Sequence, residues 1–269
     1  MGCTLVIDTS FGSTVGVVGH EPIVETDSRT HVEKLQVNIA QAVEEAGYQP
    51  SDISTIVAGV GPAPFTGLRA GIVAAKALAF ATGATLLGQN VLEPQAQWNL
   101  IRRSKAGTLG NQHEFHVLTL AVNDARRKQL YFELCDTPLA GSESDVPALA
   151  KPLIAMDIDY PESIVNRVNQ AAQEYQQTIG GQVIVDVIGH GAHKYASVLE
   201  HIEHLDDIEE SSVLDQGEQG LSIFASEALL NAEHNVGAPV EPLYLRRPDA
   251  EIPAPLKHVL GHEGAERTN

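Results

Sequence analysis

The stretch Gly59-Val60-Gly61-Pro62-Ala63-Pro64-Phe65-Thr66-Gly67-Leu68-Arg69-Ala70-Gly71 limits the fold more than any other part of the chain. The apolar run Ser54–Val60 reads as a buried strand, and the prolines behind it end that strand because they fix φ and remove backbone donors. Thr66 is the expected N-cap of a helix that reaches Thr82. Small residues recur along this helix at four-residue spacing, with Gly67, Gly71 and Ala75 on one row and Ala70 and Ala74 on the next, which lets another helix approach closely. A glycine inside a helix costs roughly 1 kcal/mol relative to alanine, so packing must offset Gly71. A Gly/Pro turn before a helix start can also aim backbone N–H groups at an anion. Here no Lys-Ser/Thr follows the glycine, and Pro62 and Pro64 remove two of the amides a phosphate nest would use.

The surrounding chain alternates in the same way. Thr4–Asp8, Thr14–Val18 and Ile23–Ser28 read as strands, with Asp8-Thr9-Ser10 opening the first turn. Val32, Leu35, Ile39, Val43 and Ala46 recur at helical spacing before a helix-ending Gly47. Ala84–Leu87 is a further strand and Glu93–Ile101 a further helix, so the order is βββαβαβα. A polar, Gly-containing stretch, 102–113, leads into a second series. That series has strands His116–Val122, Gln129–Cys135 and Pro152–Met156, helix Pro161–Thr178, strand Val183–Ile188 and an amphipathic helix Leu221–Ala232. Two series of similar order predict a duplicated α/β unit: a first lobe over 1–105, a second over 106–247, and a tail over 248–269.

Charge narrows the partners. The 269 residues carry 17 Lys+Arg against 35 Asp+Glu, a net charge of −18. Nucleic-acid binding draws most of its affinity from Lys and Arg on phosphates, so direct tRNA binding by this chain alone is not expected. Residues 141–240 hold 17 acids and 3 bases, whereas 101–140 hold 6 bases and 4 acids. The block Asp206-Asp207-Ile208-Glu209-Glu210 reads as a solvated loop or helix face, the alternative being a docking surface for a basic partner. No apolar run approaches the ~20 residues of a membrane span. The first residues lack the basic segment of a signal peptide, and Cys3 and Cys135 read as free buried thiols, so a cytoplasmic protein without membrane partners is expected.

Catalytic motifs are scarce. The histidine spacings His190/His193, His201/His204 and His258/His262 have no Cys or carboxylate companion at a convincing distance, so no metal site is expected. Neither Gly-x-Ser-x-Gly, His-Glu-x-x-His nor a paired Cys-x-x-Cys occurs. Asp8-Thr9-Ser10 suits a metal-bound phosphate or an ordinary turn equally well.

Ile7-Asp8-Thr9-Ser10, His31, the Gly61–Gly71 segment, Asp124-Ala125-Arg126 and Glu241-Pro242-Leu243-Tyr244-Leu245-Arg246 follow one another in an order that closely resembles the TsaB (YeaZ) family. The resemblance covers most of residues 4–247. It implies a two-lobed fold similar to the actin, Hsp70 and sugar-kinase ATPases, each lobe a mixed β-sheet flanked by helices. It also implies a role in making N6-threonylcarbamoyladenosine at position 37 of tRNAs that read codons starting with A. In such proteins the chemistry belongs to the paralogous partner TsaD. The TsaB-like chain is an activating subunit docked to it, TsaE completes a ternary complex, and the chain alone forms homodimers.

The resemblance implies a contact face on helices 32–46 and 66–82, built from Leu35, Ile39, Val43, Thr66, Gly67, Ala70, Gly71 and Ala74. Asp8, Thr9, Ser10 and Asp124 become a vestigial nucleotide site, with no cofactor bound by this chain alone and ATP possible at the level of the complex. The His-x-x-x-His metal motif of TsaD-like proteins falls on Val91 and Gln95, and Asp124-Ala125-Arg126-Arg127 stands where they have a Gly-rich turn. Both departures imply that the chain supplies no catalytic residue and no metal ligand. Ala63-Pro64 also departs from the Gly-Ser common among TsaB-like sequences. Two other readings stay open: an ATPase or phosphotransferase of the same fold using Asp8, and a metallopeptidase-like protein.

Overall fold

The computed structural model describes residues 2–27, 30–108, 115–136, 150–234, 237 and 239–246. The whole of the expected tail 248–269, with His258 and His262, lies outside them.

The first half builds one five-stranded sheet. β1 (Cys3–Asp8), β2 (Ser13–Val17) and β3 (Ile23–Glu25) run antiparallel, and β4 (Ile53–Gly59) and β5 (Thr85–Gln89) add in parallel on the other side of β1. The strand order is β3-β2-β1-β4-β5. α1 (His31–Glu45) and α2 (Phe65–Thr82) pack on one face around Leu5, Ile7, Val15, Ile56, Leu68 and Ile72. α1 ends as expected, with Gly47 at φ +79° just past its last turn. α2 ends on a left-handed Gly83, but its start is corrected: the N-cap is Pro64, no side chain caps it, and Thr66 lies inside the first turn. α3 (Glu93–Ala106) follows β5.

The second half repeats the pattern. β6 (Phe115–Asp124), β7 (Leu130–Asp136) and β8 (Lys151–Asp159) run antiparallel, and β9 (Gln182–Ile188) and β10 (Leu205–Glu209) extend the sheet in parallel from β6. The order β10-β9-β6-β7-β8 is that of the first sheet read from the other edge. α4 (Pro161–Ile179) and the short α5 (Ala196–Leu199) belong to this half, and α6 (Gly217–His234) closes it. Its core joins Leu118, Leu120, Phe132, Ile164, Val168 and Val185.

The last helix of each half is exchanged. α3 lies on β6 and β7 of the second sheet, and α6 lies on β5 and β1 of the first. A third apolar cluster, with Val6, Val57, Trp98, Leu221 and Phe224, therefore fills the space between the sheets.

Two further expectations are corrected. The acidic block 206–210 is half-exposed, but it is neither a loop nor a helix face: Asp206 and Asp207 lie in edge strand β10 and pair with Arg103 and Arg102 of α3. Among the described residues α2 is the one helix long and apolar enough, by length and composition, to cross a membrane. Its Leu68, Gly71, Ile72, Ala75 and Ala79 face the protein core.

Candidate functional site

The ends of β1, β6 and β9 meet at a cleft between the halves. Its floor is lined by Asp8, Ser10, Phe11, Val91, Gln95, Asn123, His190 and Asp215. Asp8 is buried, and both carboxylate oxygens are already used: Oδ2 accepts from the Ser10 backbone N–H at 3.0 Å, and Oδ1 from the Ser10 hydroxyl at 2.8 Å. Gly59 makes this possible, because a Cβ there would lie 1.9 Å from Asp8 Oδ1. Burial pushes the Asp8 carboxyl up; the Ser10 hydrogen bonds and the nearby His190 oppose that without cancelling it. Thr9 also turns inward, donating to the Gly67 carbonyl at 2.9 Å.

Phe11 and His190 close the floor from above. Their rings stack with centroids 3.7 Å apart, and His190 Nε2 lies 2.8 Å from Asp215 Oδ2. The space left is about 20 Å³, room for about one water. The buried, unpartnered Asn123 Oδ1 on its lining matches such a guest.

Outside this plug the cleft widens to about 590 Å³, between the start of α2 and the β6–β7 hairpin. Phe65, Thr66 and Gly67 line one wall, and Asp124, Arg126 and Lys194 the other. Arg126, Arg127 and Lys128 all have left-handed backbones, at φ +64°, +51° and +62°. Asp124 holds this strained turn by accepting from the Arg126 backbone N–H at 2.9 Å, and it also pairs with Lys194. Arg246 braces it from outside, donating to the Ala125 carbonyl and to Gln129 Oε1. Asp8, Thr9, Ser10 and Asp124 thus converge on the cleft, but each is committed to a partner within the chain.

The expected contact face is a different place, and part of it is corrected. Leu35 and Val43 of α1 are buried in the chain's own first core, and Gly71 of α2 is buried against Thr9, so they offer no free surface. Ile39 and Ala74 pack partly against that core, Gly67 and Ala70 are half-buried, and Thr66 is exposed. The outer sides of these helices instead expose Val37 at 65%, Val73 at 64% and Phe80 at 93%. Val73, Ala77 and Phe80 stand at i, i+4 and i+7, a second apolar row that helical spacing could have revealed.

Comparison with known proteins gives the family. The model of TsaD, tRNA N6-adenosine threonylcarbamoyltransferase, matches residues 19–254. The chain belongs to the TsaD family. An uncharacterized protein of Mycobacterium tuberculosis is 33% identical over 162 residues, which cover 54% of this chain and 69% of the relative. The tRNA N6-adenosine threonylcarbamoyltransferase of Ruegeria pomeroyi is 36% identical over 74 residues, only 28% of this chain and 20% of that protein. Among solved structures, YeaZ from Pseudomonas aeruginosa shares the fold at TM-score 0.62 and 22% identity, covering 91% of this chain and 100% of that one. The two-lobed fold with duplicated mixed sheets is therefore the one the resemblance implied.

Within the TsaD family the floor residues invite a test for metal and nucleotide. Val91 and Gln95 do face the cleft, where the resemblance placed the metal motif. Val91 has no donor atom, and Gln95 is spent on the backbone: Oε1 accepts from the Val213 N–H and Nε2 donates to the Val91 carbonyl. Among the described residues no group of three or more His, Cys, Asp or Glu side chains could hold a metal ion. A nucleotide with its cation does not fit this floor, whose carboxylates are engaged and whose free space suits a single water.

Sequence reasoning passed over Phe11 and Asp215 entirely. His190 stood out only for its spacing from His193, whose ring is turned instead toward the Ile208 carbonyl at 3.3 Å. Nothing local in the sequence pairs Phe11 with His190, which come from opposite lobes.

Proposed function

We propose that this chain is a non-catalytic subunit of the cytoplasmic machinery that makes N6-threonylcarbamoyladenosine at position 37 of tRNA, and that it acts by pairing with a TsaD transferase. The observation that carries this reading is the self-saturated cleft floor, where Asp8 is bound by Ser10 and Phe11 lies on His190. A family member whose reactive cleft is filled by its own side chains is suited to hold a partner, not to react alone. The exposed Val37, Val73 and Phe80 on α1 and α2 supply the apolar surface that such pairing needs. The same face would serve a homodimer when the transferase is absent, and TsaE would join the heterodimer. The net charge of −18 leaves the grip on tRNA to the partner, and any ATP belongs to the assembled complex.

Reconstitution tests this. TsaC, TsaD, TsaE, ATP, threonine, bicarbonate and tRNA should give modified tRNA only when this chain is added. Unchanged product on its omission would remove the chain from the reaction. Turnover of ATP by the purified chain, lost in Asp8→Ala, would replace the accessory reading with that of an ATPase.

A further inference from the structure

Away from the cleft, three glutamates gather where the exchanged helices cross. Glu133 projects from β7, Glu93 opens α3, and Glu227 lies in α6. Glu133 and Glu227 are each 4% exposed, and Glu133 Oε2 is buried without any hydrogen-bond partner. Glu93 is anchored by amides, with Asn231 Nδ2 at 3.0 Å and Gln89 Nε2 at 3.3 Å from its Oε2. Its charge acts on both other glutamates, and the buried Cys135 thiol feels all three.

The surroundings offer no compensation. β6 places Ala121 opposite Glu133, and β7 itself adds Tyr131 and Cys135 on the same face and, further along, Asp136, none of them a cation. The Arg103 guanidinium of α3 is committed to Asp186 and Asp206, and Arg246 to the backbone of the β6–β7 hairpin. No Lys or Arg among the described residues pairs with any of the three glutamates. Two buried carboxylates beside the half-buried Glu93, with no cation paired to any of them, are an arrangement that protons must relieve.

We propose that this seam is a proton-controlled hinge: Glu133 and Glu227 carry protons while α3 and α6 are closed on each other, and losing them loosens the two lobes. Burial, with Glu93 adding to it, raises Glu133 to about 8 and Glu227 to about 7. Unfolded glutamate titrates near ~4.3, so the folded state holds the extra protons. The stability they contribute is complete below that value and is lost as pH rises through the folded values. The hinge is therefore firm in mild acid and loose in mild base.

The single tryptophan, Trp98 on α3, is buried between the sheets and reports on the seam. Its emission is followed in the intact chain at room temperature from about pH 5.5 to about pH 9, alongside thermal melts, for the wild type and for Glu133→Gln with Glu227→Gln. The wild type should shift to the red with a midpoint between about 7 and about 8, and its Tm should fall by several degrees across that window. The double variant should keep the acid-form emission and a nearly level Tm. A flat wild-type profile overturns the proposal. So does a transition that the double variant retains, because histidines elsewhere would then be its source. Should the Glu133 substitution prevent folding, Glu227→Gln alone decides: it must weaken the transition, and an unchanged one overturns the hinge.

Discussion

Phe11 lies flat on His190, with ring centroids 3.7 Å apart and planes 19° from parallel, and His190 in turn reaches Asp215. Burial pushes the Asp215 carboxyl up, but the hydrogen bond and charge of His190 outweigh it and hold the group below the usual carboxylate range. A depressed carboxylate contributes stability above its unfolded pKa, about 3.9, and loses it as pH falls through the lower folded value. His190→Ala should therefore cost about 1–2 kcal/mol at neutral pH, with the pH-dependent part of that loss gone in acid below the lowered folded value. Urea unfolding at the two pH values checks this, and equal losses at both would separate Asp215 from His190.

Gly71 sits against Thr9, so that a Cβ at position 71 would lie 2.3 Å from Thr9 Oγ1 and 3.0 Å from its methyl group. A bulky residue at Gly71 is thus a folding mutation and no clean test of pairing. Gly71→Ala should destabilise by about 1–3 kcal/mol through overpacking. Adding Thr9→Ala should recover part of the loss, since both clashing atoms go with the threonine side chain. Thermal melts of the two single variants and the double variant measure the coupling, and strict additivity would contradict the contact.

Val73 and Phe80 make the cleaner test of the proposed interface. Both are exposed and neither belongs to a core cluster, so Val73→Asp and Phe80→Asp should change stability by no more than about 0.5 kcal/mol. If α1 and α2 carry the contact, each should weaken association with TsaD by about tenfold or more, since each places a charge in an apolar interface (~1.4 kcal/mol per decade). Titration by calorimetry, with circular dichroism as the folding control, reads both effects.

The elements were legible where the local pattern and the tertiary role agree. In the first half each apolar strand is bounded by Gly, Pro or Asp, and Gly47 and Gly83 close their helices with positive φ, so the order βββαβαβα could be read directly. β10 could not, because Asp206, Asp207 and Glu209 look solvated until Arg102 and Arg103, distant in sequence, are brought beside the strand. Leu35, Ile39 and Val43 share one face of α1, but that stripe seeks the nearest sheet, and a partner can use only what remains outside, such as Val37. α2 is apolar on two sides, and its periodicity does not say whether Ile72 or Val73 meets the core. The cleft residues Asp8, Thr9, Ser10 and Asp124 were recognisable by motif, whereas the plug over them depends on a stack that only the assembled lobes create.

Arg103 joins the lobes more firmly than any surface pair. It is buried on α3, donates through Nε and Nη2 to the fully buried Asp186 of β9, and reaches Asp206 on β10. Asn99 and Thr119 complete the network, with Asn99 Nδ2 at 2.8 Å from Asp186 Oδ2 and 2.9 Å from Thr119 Oγ1. Bonding to Asp186 drives the Arg103 guanidinium further up from its already high value, against the opposing effect of burial, so it stays charged at every accessible pH. Removing it leaves the unexposed Asp186 with only Arg102 at 3.7 Å and the Asn99 amide, which should cost about 3 kcal/mol, the lower end for a buried pair broken from one side. Arg103→Met should lower stability by that amount, while Arg103→Met with Asp186→Asn should recover most of it, because the desolvated charge goes too. Unfolding free energies for the set decide it: a double variant as unstable as the single one would mean that Arg103 acts through its packing and not through Asp186.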